Sequence, residues 1–443
     1  MSRHILILGA GRSSAALIQY LAGVCSTNEW KLTVGDVSAE AAARATSGLS
    51  GITSIRFDIA DHDGAASAIG SADAVISLLP AHLHVQAARH CLTLGKHLIT
   101  ASYVSDEMLA LHQEASQRGL LFLNECGLDP GIDHMSAMQV IDRIRSQGGH
   151  LHTFRSFTGG LIAPETDPSN PWRYKFTWNA RNVVMAGQSV ATYLEGGKVR
   201  RIPYQKLFTR LMPVRVAGTG NFDGYANRDS LKYIDTYGLS GISTMLRGTL
   251  RFEGFCQAWN LLVQLGICDD TLPIESASMT HGEFLDIFLP PGAGGLRNRF
   301  AVYSNIDPGS RELDLIDWVG LFSDESIGLQ RGTPAAILEH ILNKKWKMNP
   351  GDLDLIVMWH QFGYSLNGAD HEIQASLVSK GTDDIRTAMA ATVGLPLGIA
   401  TRLLLEGKIT SRGVAIPVTP EFYDPILTAL RAEGIELNEE HIN

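Results

Sequence analysis

The sequence predicts an α/β protein: a Rossmann-type doubly wound parallel sheet, a second α/β domain with a mixed sheet, and a small helical subdomain. Three observations predict this fold class. Short apolar strand patterns alternate with helical patterns through residues 1–126, a glycine-rich loop follows the first strand, and antiparallel strand patterns occur in the second half. Strands that alternate with helices of this length are joined by right-handed crossovers into a parallel sheet. A chain of 443 residues is also too long for one hydrophobic core.

The first strand is the apolar run Ile5–Leu8, and a helix follows at Ser13–Ala22. An uninterrupted run of branched apolar residues is typical of a strand that is covered on both faces. Ser38 and Asp61 can each cap a following helix. Further strands are predicted at Leu32–Val34, Ile55–Phe57, Ala74–Leu79, His97–Ala101 and Leu120–Leu123, with later helices at His82–Leu94 and Ser105–Gln117.

We assign residues 1–126 to the Rossmann-type domain and residues 127–393 to the second α/β domain, which has a helical insertion at about 255–345. In this second domain, Leu151–Thr158 has a strand pattern and Asn182–Ala191 a mostly helical one. Two further strands, Leu353–Met358 and His371–Leu377, flank Asn367-Gly368, which is typical of a hairpin turn.

The composition is that of an ordinary globular protein, with 45% apolar and 19% charged residues and a formal net charge of -9. We expect such an acidic chain to bind neither nucleic acid nor an anionic membrane surface. Its five cysteines are scattered and lack C-x-x-C spacing, which is typical of buried thiols in a reducing compartment. We find no uninterrupted apolar stretch of membrane-spanning length, and we expect a cytoplasmic protein.

The loop Gly9-Ala10-Gly11-Arg12-Ser13-Ser14 lies between the first strand and the first helix, the position of a dinucleotide-binding loop. Gly9 permits the tight turn, and Gly11 allows the backbone to approach a pyrophosphate at the positive end of the helix. The third position is Ser14 instead of glycine, a departure that is small enough for close packing. We expect this loop, with Arg12 and Ser13, to bind a nicotinamide dinucleotide; a simple structural turn is the alternative.

Asp36 closes the second strand, where a carboxylate accepts hydrogen bonds from the ribose hydroxyls and repels a 2′-phosphate. No Arg or Lys follows closely, which favours NAD over NADP. The alternative is that Asp36 only caps the next helix.

Other strand ends supply further cofactor candidates, because ligands of open α/β sheets bind beyond the carboxyl edge of the strands. Asp58 and Ile59 follow the third strand and are expected on the adenine side. Nearer to the nicotinamide we expect the residues that follow two later strands, which are Ser77, Leu78, Leu79, Thr100 and Ala101. Each of them is alternatively an ordinary loop residue.

The segment Asn124–His134 leaves the last strand of the first domain at the ligand edge. Asp129-Pro130 is typical of a helix start with Asp129 as the cap, and Asp133 is then a first-turn acid. In the functional alternative, Asp129 or Asp133 is the general acid–base and Leu128 contacts the cofactor. The His82-x-His84 pair is not expected to bind a metal, because residues two apart on a helix do not share a face.

These motifs resemble the L-glutamate-forming saccharopine dehydrogenases, also called saccharopine reductases. The resemblance is carried by Thr100–Ser105, Asn124–His134, Gly159–Leu161, Tyr174–Phe176, Asn227–Ser230, Arg247–Arg251, Gly407–Ile409 and Arg412–Val414.

The resemblance implies that saccharopine is oxidised with NAD(P) and water to L-glutamate and 2-aminoadipate semialdehyde, or the reverse, in lysine metabolism. It also implies that the protein is a homodimer and that residues 127–393 are a substrate-binding and dimerisation domain. The dinucleotide-binding domain of residues 1–126 is then completed by about residues 394–443 through the apolar helix Gly394–Leu405. Fungal members have an Arg just after the second strand, where Val37 stands here. This departure also favours NAD over NADP.

Saccharopine carries three carboxylates, so an acidic protein has to bring basic side chains together locally. Lys175, Arg228 and Arg247 are the candidates, and surface ion pairs are the alternative. The resemblance implies a substrate site lined by Ser102, Tyr103, Asp129, Arg228 and Gly248-Thr249-Leu250. Two other functions stay open: a carboxynorspermidine dehydrogenase-like imine reductase, whose more cationic substrate needs acidic residues instead, and a non-catalytic NAD(P)-binding redox sensor.

Overall fold

The computed structural model describes residues 2–188 and 190–442 of a chain that divides into two compact units. The first unit contains the chain up to Gly148 together with Gly381–Leu437, and the second contains Gly149–Lys380 with the residues that follow Leu437. These bounds differ from the sequence-based assignment at both ends of the second domain. Helix Ile132–Ser146 packs on helix Pro420–Ala432 within the first unit, and strand Asn438–Ile442 pairs with strand Ala369–Lys380 within the second.

A seven-stranded parallel sheet forms the first unit and confirms the predicted fold class. From edge to edge its strands are Gly413–Ala415, Leu121–Leu123, His97–Thr100, Ala74–Ser77, His4–Leu8, Lys31–Asp36 and Ile52–Arg56. The strand order reverses beside His4–Leu8, the position at which doubly wound sheets bind dinucleotides.

Helices cover the first sheet, and the central strand is buried on both faces. Ile5 and Ile7 are as fully buried as Leu6 and Leu8, which belong to the core cluster shared with helices His62–Ser71 and His84–Leu94. The predicted helix over 105–117 is two short helices. The unit's α-helices are Ala15–Asn28, Ala39–Ala45, His62–Ser71, His84–Leu94, Asp106–Leu109, His112–Gln117, Ile132–Ser146, Ala388–Leu405 and Pro420–Ala432.

Helix Ala388–Leu405 packs against helix Ala15–Asn28 in the first unit. A Cβ on Gly394 would lie 2.9 Å from the Leu17 nitrogen, and one on Gly398 would lie 2.7 Å from the Tyr20 ring, so glycine allows the close approach. This helix is long and apolar enough to cross a membrane by length and composition, which the sequence analysis did not anticipate. However, 78% of its apolar window is buried inside the protein, as in the core helix of a globular unit.

A nine-stranded mixed sheet forms the second unit. Its main path is Leu211–Val216, Gly220–Ala226, Thr244–Phe252, His150–Ile162, Asp354–Leu366, Ala369–Lys380 and Asn438–Ile442, and Ala191–Glu195 with Lys198–Ile202 branches from Thr244–Phe252. Only the pairing of Thr244–Phe252 with His150–Ile162 is parallel along that path. The predicted hairpin turn at Asn367-Gly368 is confirmed, since both residues have positive φ.

The remainder of the second unit is largely helical, with a two-stranded piece formed by Ile274–Glu275 and Arg331–Gly332. Its α-helices are Ala180–Met185, Lys232–Thr236, Phe255–Leu265, His281–Asp286, Leu296–Ser304, Arg311–Trp318 and Pro334–Trp346. The mostly helical pattern over 182–191 is confirmed by helix Ala180–Met185 and the 3-10 turn Ala186–Gln188, but a strand begins at Ala191. The aromatic core includes Trp172, whose ring lies edge-on to those of Phe255 and Trp346.

Candidate functional site

The glycine loop has the geometry that a phosphate-binding turn requires. Gly9 has a φ of 104°, and its N–H donates to the Gly35 carbonyl at 2.7 Å. A Cβ on Gly9 would lie 3.0 Å from the Leu78 carbonyl oxygen, whereas a Cβ on Gly11 would meet nothing within 4 Å. Glycine is therefore needed for the fold at Gly9, and the space beside Gly11 is available to a ligand.

The short 3-10 helix Arg12–Ser14 connects this loop to helix Ala15–Asn28. Ser14 is buried and donates its hydroxyl to the Gly11 carbonyl at 2.7 Å, so its small side chain is accommodated inside the protein at the position of the third glycine. Ser13 is half-buried, and the side chain of Arg12 lies outside the described residues.

Asp36 lies at the carboxyl end of its strand and holds two backbone segments. Its Oδ2 accepts from the Ala10 N–H at 2.8 Å, and its Oδ1 accepts from the Ser38 N–H at 3.0 Å. Ser38, and not Asp36, caps helix Ala39–Ala45. An ionised carboxylate has about four acceptor positions, so Asp36 keeps about two for the hydroxyls of a ribose.

The other predicted cofactor residues end strands at the same carboxyl edge. Asp58 accepts from the Ala60 N–H at 3.0 Å and lies 3.9 Å from the Arg56 guanidinium. Ile59 is buried, and its carbonyl accepts a hydrogen bond from the Gln86 side-chain amide. Leu78 and Leu79 are half-buried, Ser77 and Thr100 are buried, and Ala101 packs under Gly127, where a Cβ would lie 2.8 Å from the alanine Cβ.

His84, for which the sequence raised only the question of metal binding, connects two of these strand ends. His84 Nδ1 lies 2.8 Å from Ser77 Oγ, and His84 Nε2 lies 2.7 Å from Ser102 Oγ. Burial is the main cause that lowers the pKa of His84 to about 4, with a smaller contribution from His82. The ring is therefore neutral near pH 7 and carries one proton.

The segment Asn124–His134, named the junction segment here, corrects the predicted cap at Asp129. Helix Ile132–Ser146 begins after Gly131, which has a φ of 148° and is the N-cap residue, so Asp129 precedes the cap by two positions. Asp129 is half-buried, and its Oδ1 accepts from the Tyr103 hydroxyl at 3.3 Å.

Asp133, in contrast, lies inside the junction. Its side chain is buried, and its Oδ1 accepts from the Gly131 N–H at 2.6 Å. Leu128 is also buried, and its carbonyl accepts from the Asp133 N–H at 3.0 Å. These contacts give Asp133 a role in forming the junction, and Asp129 is the better general acid–base candidate.

Glu125 supports the segment that carries Ser102 and Tyr103. Its backbone N–H donates to the Ser102 carbonyl at 3.0 Å, and its Oε1 accepts from the Val104 N–H at 3.0 Å. Its Oε2 lies 2.7 Å from His134 Nε2, and both side chains are almost fully buried. A buried polar group that binds one segment at two points restricts its movement.

Arg228 and Arg247 lie on adjoining segments of the second unit. The Asn227 N–H donates to the Arg247 carbonyl at 3.0 Å, and the Arg247 N–H donates to the Ser230 hydroxyl at 2.9 Å. Arg228 is exposed, while the Arg247 guanidinium lies 3.9 Å from the centre of the Tyr233 ring.

The run after Arg247 continues along strand Thr244–Phe252. A Cβ on Gly248 would overlap the Tyr225 carbonyl and the Phe157 ring, so this glycine allows close packing. Thr249 is half-buried and lies 3.4 Å from the Asn227 amide, and Leu250 is fully buried. Of this run, Thr249 has the side chain suited to a ligand contact.

Lys175 is not brought together with the two arginines. Its ammonium is buried and lies 2.7 Å from Asp352 and 3.1 Å from Asp167. Two carboxylates therefore neutralise it, and the contacts support a structural role instead of the substrate contact that the sequence suggested. Its neighbours in sequence, Tyr174 and Phe176, are core residues.

Among the described residues, no group of three or more His, Cys, Asp or Glu side chains is arranged to hold a metal ion. The five cysteines are free and buried, and burial raises the pKa of Cys25 to about 11.

Comparison with known proteins gives a consistent result for both units. Residues 5–123 match the family described as "Saccharopine dehydrogenase NADP binding domain", and residues 127–435 match "Saccharopine dehydrogenase C-terminal domain". The chain is 32% identical over 451 residues to the NADP(+), L-glutamate-forming saccharopine dehydrogenase of Saccharomyces cerevisiae, covering 100% of both proteins. It is 33% identical to the mitochondrial alpha-aminoadipic semialdehyde synthase of Rattus norvegicus, covering 99% of this chain and 48% of that protein. The chain thus spans about half the length of this mammalian relative.

The fold agrees with solved structures. Apo histidine-tagged saccharopine dehydrogenase (L-Glu forming) from Saccharomyces cerevisiae matches with a TM-score of 0.91 and 31% identity, covering 100% of each chain. The homospermidine synthase of Legionella pneumophila, solved in complex with NAD, matches with a TM-score of 0.54 and 11% identity, covering 100% of this chain and 92% of that chain, and so shows a likeness of fold alone. The chain belongs to the saccharopine dehydrogenase family.

Proposed function

We propose that this protein is an L-glutamate-forming saccharopine dehydrogenase. In the proposed reaction, saccharopine, NAD(P)+ and water give L-glutamate, 2-aminoadipate semialdehyde, NAD(P)H and one proton, or the reverse. The observation that carries the proposal is the Tyr103–Asp129 pair, whose residues follow two strands at the carboxyl edge of the first sheet. It occurs in a chain that is 32% identical to the yeast enzyme over its full length.

The glycine loop of the first unit fits a dinucleotide. The open space beside Gly11 and the positive φ at Gly9 suit a pyrophosphate, and Asp36 suits the adenosine ribose. When bound, the nicotinamide accepts the hydride that leaves the carbon attached to the secondary amine. We propose NAD as the preferred form, because a carboxylate at Asp36 repels a 2′-phosphate. The yeast relative, by contrast, is named for NADP(+).

Asp129 is the proposed general acid–base. The reaction needs a group that holds a proton at the amine nitrogen and later activates the water that opens the imine. Asp129 is half-buried, caps no helix, and accepts a hydrogen bond from Tyr103, which can orient its carboxylate. Asp133 is less suited, because its carboxylate binds the Gly131 N–H inside the junction.

Arg228 and Arg247 are the proposed carboxylate ligands. Guanidinium groups bind carboxylates with two parallel hydrogen bonds, and saccharopine has three carboxylates. Arg228 is exposed and therefore accessible to a ligand. Its segment is attached to Arg247 because the Arg247 carbonyl accepts from the Asn227 N–H and the Arg247 N–H donates to the Ser230 hydroxyl. A carboxynorspermidine-like substrate has more ammonium groups and would suit acidic residues at these positions.

The proposal is tested by following nicotinamide absorbance with saccharopine and, separately, with carboxynorspermidine, each with NAD and NADP. We expect turnover of saccharopine, and its absence with both cofactors would overturn the proposal. In Arg228→Ala the KM for saccharopine should rise at least about 10-fold, since a hydrogen bond to a charged group contributes roughly 1.5–3 kcal/mol. The KM for the cofactor should not change. Arg200→Ala, which removes an exposed arginine paired with Glu195, is the matched control.

A further inference from the structure

His84 connects the ends of two neighbouring strands through a row of hydrogen bonds. Ser77 ends strand Ala74–Ser77, and Ser102 follows strand His97–Thr100 by two residues. Ser77 Oγ lies 2.8 Å from Nδ1 of His84, and Ser102 Oγ lies 2.7 Å from Nε2. Thr100 Oγ1 is 3.5 Å from both ring nitrogens, too far for a strong bond to either.

The direction of these hydrogen bonds follows from counting protons. A neutral imidazole has one N–H and one acceptor nitrogen, so one serine must donate to the ring and the other must accept from it. Ser77 is fully buried, and among the described residues its hydroxyl bonds only to His84. If His84 donated to Ser77, the Ser77 proton would have no acceptor there, and a buried unsatisfied donor is unfavourable. Ser77 therefore donates to Nδ1, and the ring proton is on Nε2.

Ser102 is the accepting serine in this arrangement. Its oxygen receives the Nε2 proton of His84, and the described residues provide no acceptor for its own hydroxyl hydrogen. Ser102 is half-buried, so a ligand can reach it. Its backbone is held as well, because its carbonyl accepts from the Glu125 N–H at 3.0 Å.

We infer that His84 is a positioning residue for the proposed reaction, and that it holds the Ser102 hydroxyl as a hydrogen-bond donor towards a carboxylate of the substrate. This inference rests on the proposed function. His84 acts through Ser102 and contacts no reacting atom, and its neutral Nε2–H form is what makes Ser102 a donor. With the ring proton on Nδ1, Ser102 would donate to the ring and present only its lone pairs, which repel a carboxylate.

Two near-isosteric replacements distinguish the two possible directions of the hydrogen bond between His84 and Ser102. In His84→Gln the side-chain amide nitrogen can take the place of Nε2 and still donate to Ser102, whereas in His84→Asn the amide reaches only as far as Nδ1. We expect His84→Gln to keep kcat/KM for saccharopine within about threefold. His84→Asn should lose roughly 10- to 100-fold, the range for a hydrogen bond to a charged group, and Ser102→Ala should lose the same. His82→Gln and His82→Asn change an exposed histidine two residues away and serve as matched controls.

A double-mutant cycle distinguishes positioning from a structural role. If His84 acts through Ser102, the double variant His84→Asn/Ser102→Ala loses no more activity than Ser102→Ala alone, and all variants bind the cofactor with unchanged Kd. Additive losses, or a Gln variant as impaired as the Asn variant, would overturn the inference while leaving the proposed function intact.

The tautomer can be measured without any substrate. A long-range 1H–15N spectrum of deuterated wild-type protein with 15N-labelled histidine reports which ring nitrogen of His84 carries the proton, and His84→Gln identifies the signal. We expect the proton on Nε2, and a proton on Nδ1 would refute the inference whatever the enzyme's substrate.

Discussion

Removing the negative charge of Asp36 should change the cofactor preference. The carboxylate already accepts the Ala10 N–H at 2.8 Å and the Ser38 N–H at 3.0 Å, which fixes it beside the glycine loop. About two acceptor positions are left for the ribose hydroxyls. In Asp36→Asn one carboxylate oxygen becomes an NH2 group, so the two acceptor positions of that oxygen are lost. One of them would have served the ribose, and the backbone N–H of the loop or of Ser38 that used the other then faces a donor.

The size of the effect follows from two contributions. Loss of one hydrogen bond to a charged acceptor weakens NAD binding by roughly 1.5–3 kcal/mol, or about 10- to 150-fold. For NADP the same loss is offset, because the substitution also removes the repulsion between the Asp36 carboxylate and the 2′-phosphate. For charges about 4 Å apart at a surface site this repulsion is at most about 4 kcal/mol. Asp36 is half-buried, so solvent screening reduces the repulsion. Together we expect kcat/KM for NAD relative to NADP to fall by about 100-fold in Asp36→Asn.

The assay measures kcat/KM for both cofactors at saturating substrate, in wild type and in Asp36→Asn. Glu40→Gln is the matched control, because Glu40 is a nearby exposed acid that bonds the Ser38 hydroxyl and not the loop; its ratio should change less than about threefold. A wild-type preference for NADP, or an unchanged ratio in Asp36→Asn, would refute the reasoning. Arg56, which is in register with Asp36 in the neighbouring strand, would then be the residue to test for phosphate binding.

Three further changes test other parts of the structure. Gly9→Ala should lower the free energy of unfolding by about 1–3 kcal/mol, because the φ of Gly9 is 104°. Gly11 has a φ of -76° and open space beside it, so Gly11→Ala should keep the melting temperature and weaken cofactor binding. Thermal unfolding measures the first effect and cofactor titration the second. Lys175→Met should lower the free energy of unfolding by about 3–5 kcal/mol, because it leaves two largely buried carboxylates without their cation, and a loss below about 1 kcal/mol in denaturant titrations would contradict the assigned role. Burial lowers the pKa of His97 to about 4, so the unfolded state binds more protons between about pH 4 and 6.5 and stability is lost as the pH falls through that window. His97→Asn should reduce the stability difference between pH 7 and pH 5, and an unchanged difference would show that His97 does not contribute.

Six strands of the first sheet could be predicted because their signals are local. The seventh, Gly413–Ala415, was not predicted, because it is short and pairs with the distant strand Leu121–Leu123. The apolar run Ile5–Leu8 and the glycine loop that follows it are contiguous in sequence. The run is buried, as its apolar residues require, and the chain turns at Gly9, where glycine permits the positive φ. The second sheet could not be predicted to the same extent, because its order depends on distant pairings. Strand Thr244–Phe252 lies between Gly220–Ala226 and His150–Ile162, and no local pattern indicates that it is parallel to the latter.

The site residues show the same division. The tight turn at Gly9 and the position of Asp36 at the end of its strand were predictable, since both follow from the residue type and the adjoining strand. Their contacts with a cofactor stay predictions. Lys175 was not, because its partner Asp352 is 177 residues away, and a lysine among aromatic residues has the same sequence pattern in a binding site as in a core. The cap assigned to Asp129 failed for a different reason: Asp-Pro is typical of a helix start, yet Gly131, two residues later, takes that place.

Glu125 and His84, to which the sequence analysis gave no functional role of their own, share one property, which is that each holds another residue in place. Glu125 binds the segment of Ser102 and Tyr103 at two points, and His84 orients the hydroxyl of Ser102. A general acid–base, and a hydroxyl that donates to a substrate carboxylate, must stay within a few tenths of an ångström of their working positions. Side chains on short loops are held this closely when buried polar groups restrain them. The buried Glu125–His134 pair is therefore best understood as support for Tyr103 and, through its hydrogen bond, for Asp129.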